Sequence, residues 1–322
     1  MTDIDLVPSD LRMELQKFDE AADQIIASFV RTMEASPPPP IIYHYTNDVG
    51  LKGILETGQI WLTDIFNLND PSELSHGFSH VVNILNCRAV DGPPESKTFS
   101  QLIGAFRTHG GIQAAAHYFV SSFSSTGDDL GQWRAYADNG RGYALGFDAR
   151  ELENAFTKDG DIPIPSNSTF SINYNDGKLA ELHEELVESM FHLISLPRGR
   201  SLSREGIHEY MDELLALLSM HALRAGLFFK HEAYNNEKEY RFMQIHRADV
   251  PPPEVKFRTR PHSLVKYREF NWRRLAAGAL KEIVIGPAAD RNKGFQFATD
   301  CLRSFHGTTV EPVYSSIPYR AS

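Results

Sequence analysis

The chain has 322 residues, a formal net charge of −10, and an ordinary globular balance of 42% hydrophobic and 23% charged residues. The acidic excess argues against general, non-specific affinity for nucleic acid or for anionic membranes. Cys87 and Cys301 stand in no zinc-binding spacing, so we predict no metal site and a reducing, cytoplasmic setting. The segment Met1–Asp5 is acidic where a signal peptide would be basic, and no apolar run approaches the roughly 20 residues that cross a bilayer.

The first 36 residues predict an N-terminal amphipathic helix. Apolar residues recur at helical spacing from Ser9 to Thr32, along the stripe Leu11, Leu15, Phe18, Ala22, Ile25, Phe29 and Met33. Pro37 to Pro40 then form a polyproline spacer, which cannot continue a helix. We therefore divide the chain into the helix (1–36), the spacer (37–40) and a single domain (41–322). The helix is expected to dock on that domain or on a partner.

The rest of the chain mixes strands and helices without a regular βαβ period, which favours an α+β fold with mainly antiparallel sheets and flanking helices. Asp70-Pro71, with Glu73 two residues on, is typical of a helix start. The predicted strands are His117–Ser124, Gly142–Phe147, Phe170–Tyr174, Tyr240–Ile245, Glu282–Ile285 and Thr309–Val313. The predicted helices are Asp129–Ala137, Gly177–Leu196, Ser203–Ala225 and Lys293–Phe305.

Four segments carry polar side chains, three of them at strands or strand ends and one, the third, in an aromatic-rich turn of helix. They are His44–Thr46, Val120–Thr126, Gln132–Ala137 and Glu237–Phe242. The first follows the apolar strand Ile41–Tyr43, and the second carries alternating serines. In the fourth, the two-residue period of a strand places Glu237, Glu239 and Arg241 on one face.

Each segment also has a purely structural interpretation. A histidine at a strand end is more often a satisfied structural group than a catalyst, and alternating serines commonly face solvent on an antiparallel strand. Glu-Lys-Glu is usually a solvated charge run, and the pair Trp133 and Tyr136 is typical of a core. Asp70-Pro71 is then only a helix cap. The occurrence of all these segments together, in one order, favours the functional interpretation.

That order resembles the pattern of a known family. Between Ile41 and Arg320 the chain resembles an uncharacterised bacterial and phage family of domains of unknown function, which by itself implies no activity. The motifs that carry this resemblance are Tyr43-His44-Tyr45-Thr46, Asn69-Asp70-Pro71-x-Glu73, Ser122-Phe123-Ser124, Gln132-Trp133-x-x-Tyr136-Ala137, Gly142-x-x-Leu145-Gly146-Phe147, Lys230, Glu237-x-Glu239-Tyr240-Arg241 and Ile283-x-Ile285-Gly286-Pro287.

The same layout is similar to that of the ADP-ribosyltransferase superfamily. This second resemblance implies an ADP-ribosyltransferase-like α+β domain that uses NAD as its substrate, needs no metal, and transfers ADP-ribose to a macromolecular acceptor (protein or nucleic acid). Toxin or phage-defence roles suit it. Breaking the bond between nicotinamide and ribose passes through an oxocarbenium-like state, which requires a clamp for ribose hydroxyls, an aromatic wall and a nearby carboxylate.

The resemblance implies a role for each carboxylate and for the first polar segment. His44 is similar to the histidine that binds ribose, with Tyr45 beside it and Thr46 as a secondary hydroxyl contact. Glu239 is similar to the catalytic carboxylate that holds the ribose 2′-hydroxyl. Glu237 is then expected to orient the acceptor.

The remaining cofactor-binding residues come from the second and third segments. Ser122, Ser124 and Thr126 resemble a Ser-Thr-Ser strand that braces the site, and Trp133 or Tyr136 is expected to supply the aromatic wall. In the superfamily a first-strand histidine usually accompanies a different central motif, and Ser-Thr-Ser usually accompanies a first-strand arginine. The mixture in this chain leaves the sub-class and the acceptor open.

A basic segment offers an alternative function. Between Lys256 and Arg274, lysines and arginines alternate with aromatic residues, a composition that can follow a phosphate backbone and stack bases. The candidate contacts of such a non-catalytic module, which binds nucleic acid or a protein partner, are Arg258, Arg260, Lys266 and Arg268. A plainer interpretation is an edge strand whose charges lie in solvent.

Overall fold

The computed structural model of the chain describes residues 6–34, 37–68, 72–108, 116–158, 167–247, 254–307 and 310–320. The strands are β1 (Ile41–Thr46), β2 (Ile60–Asp64), β3 (Ala116–Ser124), β4 (Tyr143–Asp148), β5 (Asn167–Ser171), β6 (Glu239–Arg247), β7 (Lys256–Arg260), β8 (Ser263–Phe270), β9 (Leu280–Ile285) and β10 (Pro312–Tyr314). The α-helices are α1 (Ser9–Glu34), α2 (Asp48–Thr57), α3 (Ser72–Asp91), α4 (Pro94–Thr108), α5 (Leu130–Tyr136), α6 (Ala149–Thr157), α7 (Asp176–Met190), α8 (Arg204–Gly226), α9 (Trp272–Ala276) and α10 (Arg291–Cys301). The predicted α+β class is confirmed. Within these ranges, none of the helices has the length and apolar character needed to cross a membrane.

The strands form one mainly antiparallel sheet in the order β10-β9-β4-β1-β3-β2-β8-β7, with β6 and β5 joined to it through β3. β3 pairs along its whole length with β6, from Ala116 opposite Arg247 to Ser124 opposite Glu239. Its other edge is shared, because Val120 pairs with β2 and Ser124 pairs with β1. β1 and β2 therefore diverge between these two points, and the middle of β3 at Ser122 faces the gap.

Both faces of the sheet carry apolar side chains. One face packs against α2, α6, α9 and α10 and includes Phe123 and Phe242. The other face is covered over part of its area by α1, α3, α4, α7 and α8, which pack on Val120 and Met243. Because successive strand residues point to opposite faces, Ser122 and Ser124 share the second face with Val120. Beyond the edge of the helical cover, that face opens into the cavity described below.

One predicted strand lies three residues earlier in the structure. The strand predicted at Phe170–Tyr174 lies at Asn167–Ser171, because the chain leaves β6 once Ile172 N–H has donated to Glu239 O at 3.0 Å. Asn173 N–H instead donates to Phe228 O at 2.9 Å, and Lys230 N–H donates to Asn173 O at 3.0 Å. This exchange of partners fixes the segment that carries Lys230. The predicted cap at Asp70-Pro71 lies outside the described residues, and α3 is described from Ser72.

The N-terminal helix α1 contributes to the same core as α7 and α8. Leu15, Phe18 and Ala22 are buried, as the predicted stripe requires, and the next fully buried position is Ile26. Arg12 donates to Glu209 Oε1 at 3.0 Å, which adds a polar contact with α8. The predicted docking of α1 therefore takes place on the body of this chain.

The burial of α1 predicts that it contributes strongly to stability. Replacing Phe18 with Ala should lower the free energy of unfolding by about 3–5 kcal/mol, because it removes a buried ring and leaves a cavity. Met13, which is 50% exposed on the same helix, is the matched control; Met13→Ala should change stability by less than about 0.5 kcal/mol. Urea unfolding followed by circular dichroism measures both, and equal small effects would contradict the docking of α1.

Candidate functional site

A cavity of about 360 Å³ lies where β1, β2, β3, β6 and β7 meet. This volume is within the range of small-molecule sites. The cavity brings together residues from all four polar segments and from the basic segment. Its lining includes the predicted residues His44, Tyr45, Ser122, Ser124, Tyr136, Glu237, Glu239, Arg258 and Arg260. Across the described ranges, no group of three His, Cys, Asp or Glu side chains is arranged to hold a metal ion.

Glu239 is a buried carboxylate held by two cations and a hydroxyl. Its Oε1 accepts hydrogen bonds from Ser122 Oγ at 2.6 Å and from Arg241 Nε at 2.7 Å, and Oε2 accepts from Lys230 Nζ at 3.0 Å. Burial acts to raise the pKa of Glu239, but the charges of Arg241 and Lys230 and the hydrogen bonds from Arg241 and Ser122 lower it below the ordinary 4.5. The carboxylate is therefore ionised at neutral pH, although only 4% of the residue is exposed.

Lys230 joins the two carboxylates of the Glu-x-Glu motif. Its Nζ lies 2.5 Å from Glu237 Oε2 as well as 3.0 Å from Glu239 Oε2. Glu237 Oε1 also accepts a hydrogen bond from the Tyr136 hydroxyl at 2.9 Å. Two carboxylates are thus matched by two cations, Lys230 and Arg241, which makes their burial tolerable.

A backbone kink at Lys238 allows both carboxylates to reach the same ammonium group. Lys238 has a φ of 44°, in the left-handed region that costs a non-glycine residue about 1 kcal/mol or more. It separates a 3₁₀ turn that ends at Glu237 from β6, which begins at Glu239. Glu239 and Arg241 share a face of β6, as predicted, whereas Glu237 reaches Lys230 from the turn and not from the strand.

His44 lies at the gap between β1 and β2. Its Nδ1 is 3.3 Å from Ser122 O, and its ring centroid is 5.5 Å from that of Phe123. Because a carbonyl oxygen can only accept, this contact requires the proton on Nδ1 and leaves Nε2 as an acceptor in the neutral ring. Burial lowers the pKa of His44, and this effect outweighs the hydrogen bond to Ser122, which acts to raise it. Burial therefore favours the neutral form of the ring. Ser122 therefore connects His44, through its carbonyl, to Glu239, through its hydroxyl.

Two of the predicted contact residues hold the loops around the cavity. The Ser124 hydroxyl donates to Glu237 O at 2.8 Å and so braces the turn before β6. The Tyr45 hydroxyl donates to Thr126 O at 2.8 Å, and only 7% of Tyr45 is exposed. Both residues border the cavity, but their hydroxyl groups are engaged in these backbone contacts.

Of the two candidates for an aromatic wall, the structure brings Tyr136 to the cavity. Trp133 is fully buried, and its Nε1 donates to Asp128 Oδ1 at 2.8 Å, so it belongs to the core beneath α5. Tyr136, one turn later, lines the cavity and is 39% exposed. Thr46 faces α2, where a Cβ on Gly50 would lie 1.8 Å from its Oγ1, and it does not border the cavity.

The basic segment forms a hairpin of β7 and β8 whose charges lie on two different faces. Arg258 is directly opposite Val265, and Arg260 is opposite Ser263; both arginines border the cavity. Lys266 and Arg268 are one and three residues beyond Val265, so they point to the other face. Arg268 donates there to Gln244 Oε1 at 2.5 Å. The four candidate nucleic-acid contacts therefore do not form one continuous surface.

The segment that carries the carboxylate motif is similar to a family without an assigned activity. Residues 132–242 match a family described as "Protein of unknown function (DUF2971)". The predicted resemblance to an uncharacterised family is confirmed for this segment, which covers about a third of the chain and extends from Gln132 to the end of Glu237-x-Glu239-Tyr240-Arg241. No curated protein and no solved structure matches the chain. The ADP-ribosyltransferase resemblance stays a prediction.

Sequence reasoning included Lys230 among the residues that carry the family resemblance but gave it no role, and the structure places it at the centre of the site. The local signal was slight: a lysine directly follows the apolar run Leu227–Phe229. Its position depends on the backbone bond to Asn173, 57 residues earlier by the numbering. Tyr174 has a similar supporting role, because its hydroxyl accepts a hydrogen bond from Glu239 N–H at 2.9 Å.

The central position of Lys230 predicts a large, pH-dependent loss of stability when its charge is removed. Lys230→Met leaves two buried carboxylates short of a cation, which should cost about 3–5 kcal/mol at neutral pH. Because the pKa of Glu239 is lower in the folded state than its ordinary value of 4.5, ionised Glu239 stabilises the folded state at pH values above 4.5. This stabilisation is lost as the pH falls from 4.5 through the folded-state pKa. Removing Lys230 removes one cause that lowers the folded-state pKa of Glu239, so the loss of stability should shrink as acid protonates Glu239.

Urea unfolding at pH 7 and at pH 4 measures this effect, with Lys281→Met as the control. Lys281 pairs with Glu151 at the surface, 2.9 Å apart, and such a pair contributes at most about 1 kcal/mol. Equal losses at the two lysines, or a deficit at Lys230 that does not depend on pH, would contradict the proposed charge balance.

Proposed function

We propose that this chain is an NAD-dependent ADP-ribosyltransferase that modifies a macromolecular acceptor. The observation that supports this most is that Ser122 links a neutral His44 to an ionised Glu239 at one cavity, with Glu237 and Tyr136 beside them. These are the elements that the superfamily resemblance assigns to NAD. A cytoplasmic toxin or phage-defence setting is part of the proposal and rests on that resemblance alone.

The proposed reaction exchanges one bond at the ribose C1′ for another. The bond from C1′ to the nicotinamide nitrogen breaks, and its electron pair goes to the nicotinamide ring, which becomes neutral. The ribose becomes an oxocarbenium-like cation. A nucleophile of the acceptor then forms a bond to C1′ and loses its proton. A fixed negative charge next to the ribose lowers the energy of the cationic state, and it does so more strongly in a buried site than in water.

Glu239 is suited to that role because its charge and orientation are set before substrate binds. Three donors described in the structure hold the carboxylate, and a carboxylate offers about four acceptor sites. It can therefore also accept a hydrogen bond from the ribose 2′-hydroxyl. On the other side of the gap, Nε2 of neutral His44 can accept a hydrogen bond from a second ribose hydroxyl.

Tyr136 and Glu237 have the remaining proposed roles. The ring of Tyr136 offers an apolar wall to the nicotinamide, with its hydroxyl fixed by Glu237. Glu237, whose side chain is 13% exposed against 3% for Glu239, is the carboxylate more open to an incoming acceptor. It is therefore assigned to orient the acceptor nucleophile.

A non-catalytic module that binds nucleic acid or a protein partner is the competing hypothesis. It draws on the basic hairpin, but two of the four candidate cations face away from the other two. The hypothesis predicts salt-dependent binding to nucleic acid that survives the loss of either carboxylate. Incubating the chain with labelled NAD and cell lysate separates the two hypotheses. Label transfer or NAD hydrolysis supports the enzyme, whereas the absence of both, together with no NAD binding by calorimetry, would reject it.

Glu239→Gln should lower turnover by about 10²–10³-fold, because one electrostatic group of the transition state is lost. The affinity for NAD should change little, since this interaction strengthens only as the ribose becomes cationic. Glu237→Gln should impair transfer to the acceptor more than NAD hydrolysis. Rates of labelled-NAD hydrolysis and transfer measure both effects.

Glu151→Gln, at an exposed surface pair, is the matched control and should behave as the wild type. Thermal unfolding of each variant separates lost chemistry from lost folding. If Glu239→Gln does not fold, Glu237→Gln still tests the division of roles. Near-wild-type rates in both carboxylate variants would remove the basis of the proposal.

A further inference from the structure

Arg258 and Arg260 place two guanidinium groups at the same cavity as Glu239. They are two residues apart on β7, so both point to the cavity face, and both side chains are half-buried. The nearby carboxylates are already engaged with other cations. Among the described residues, Glu237 and Glu239 pair with Lys230 and Arg241, and Glu269 of the same hairpin pairs with Lys256 at 2.5 Å.

The described contacts of the two arginines are few and uncharged. Arg258 Nη2 is 3.4 Å from Thr63 Oγ1, and its guanidinium lies 5.6 Å from the ring centroid of Trp61. Its Nε is buried and has no hydrogen-bond partner among the described residues. Arg260 Nη1 donates to Asn67 O at 2.7 Å. Because each guanidinium carries five N–H donors, most of their donor capacity is available to a ligand.

The charges around the cavity show what kind of ligand suits this end. The described lining contains four cationic side chains, Lys230, Arg241, Arg258 and Arg260, and two carboxylates, Glu237 and Glu239. With His44 neutral, the excess is two positive charges, and both belong to the arginine pair. Burial and the neighbouring Arg260 lower the pKa of Arg258, the direction expected for a half-buried cation beside a second one. A dianion would neutralise them.

We infer that Arg258 and Arg260 bind the diphosphate of a dinucleotide substrate. A diphosphate carries two negative charges, which balance the two positive charges of the arginine pair. The planar guanidinium group can also donate two parallel hydrogen bonds to phosphate oxygens. Trp61 restrains Arg258 through its ring face before the ligand arrives. The inference rests on the proposed function, and it sets the direction of NAD in the cavity: nicotinamide ribose at Glu239 and His44, diphosphate at β7.

The test is calorimetric binding of ADP-ribose, which carries the diphosphate and lacks nicotinamide, and of nicotinamide riboside, which lacks phosphate. Arg258→Gln/Arg260→Gln should weaken ADP-ribose binding by about 100-fold or more, because charge-assisted hydrogen bonds from two guanidinium groups are lost. Nicotinamide riboside binding should not change. The control Lys281→Gln/Lys293→Gln removes the same charge from two exposed positions and should leave both affinities unchanged.

The outcomes separate this inference from the proposed function. One outcome is that the wild type binds ADP-ribose, the double glutamine variant does not, and neither protein turns over NAD. This outcome supports the diphosphate site and rejects the transferase. NAD turnover that the double variant retains at unchanged KM rejects the diphosphate site and leaves the transferase standing. Equal ADP-ribose binding in wild type and variant, or none in either, also overturns the inference, as does tighter binding of a single-stranded oligonucleotide to the same arginines.

A second variant guards against loss of folding. Arg258→Lys/Arg260→Lys keeps both charges and gives up the planar fork. It should retain the salt dependence of ADP-ribose binding and weaken the affinity by about tenfold. If this variant folds and binds ADP-ribose as tightly as the wild type at low and high salt, the guanidinium groups do not contact the diphosphate.

Discussion

The site depends on the charge of Glu239, a carboxylate buried in the protein and kept ionised. Burial alone would protonate it, and only the combined effect of Lys230, Arg241 and Ser122 reverses that tendency. Each of these three donors comes from a different part of the fold: the segment after α8, β6 and β3. A single carboxylate therefore ties together three elements.

β3 holds the residues of this arrangement together, because it pairs with β6 along one edge and with β2 and β1 along the other. One edge of β3 pairs continuously with β6, which aligns Ser124 with Glu239, while the other edge changes partner from β2 to β1. The divergence of those two strands makes room for the imidazole of His44 against the Ser122 carbonyl. The alternating serines, an ordinary solvent pattern in most antiparallel strands, thus occupy the point where the sheet opens.

Local sequence pattern was sufficient to predict the strand that carries Ser122, the strand that carries Arg241, and the α+β class, because each depends on short-range alternation. Local pattern was insufficient wherever the position of a side chain depends on a residue that is distant in the sequence. Lys230 is placed by Asn173, and the hairpin register alone separates Arg258 from Lys266. Helical spacing places Trp133 and Tyr136 one turn apart, but it does not predict which of the two rings is buried in the core.

The central claim is that this cavity receives the nicotinamide ribose of NAD between His44 and Glu239. A crystal structure with a non-hydrolysable NAD analogue tests it most directly. The account predicts that the ribose 2′-oxygen lies within about 3.2 Å of a Glu239 carboxylate oxygen, with the diphosphate next to β7. An analogue bound elsewhere on the protein, or bound in the cavity with its ribose away from Glu239, would contradict the account.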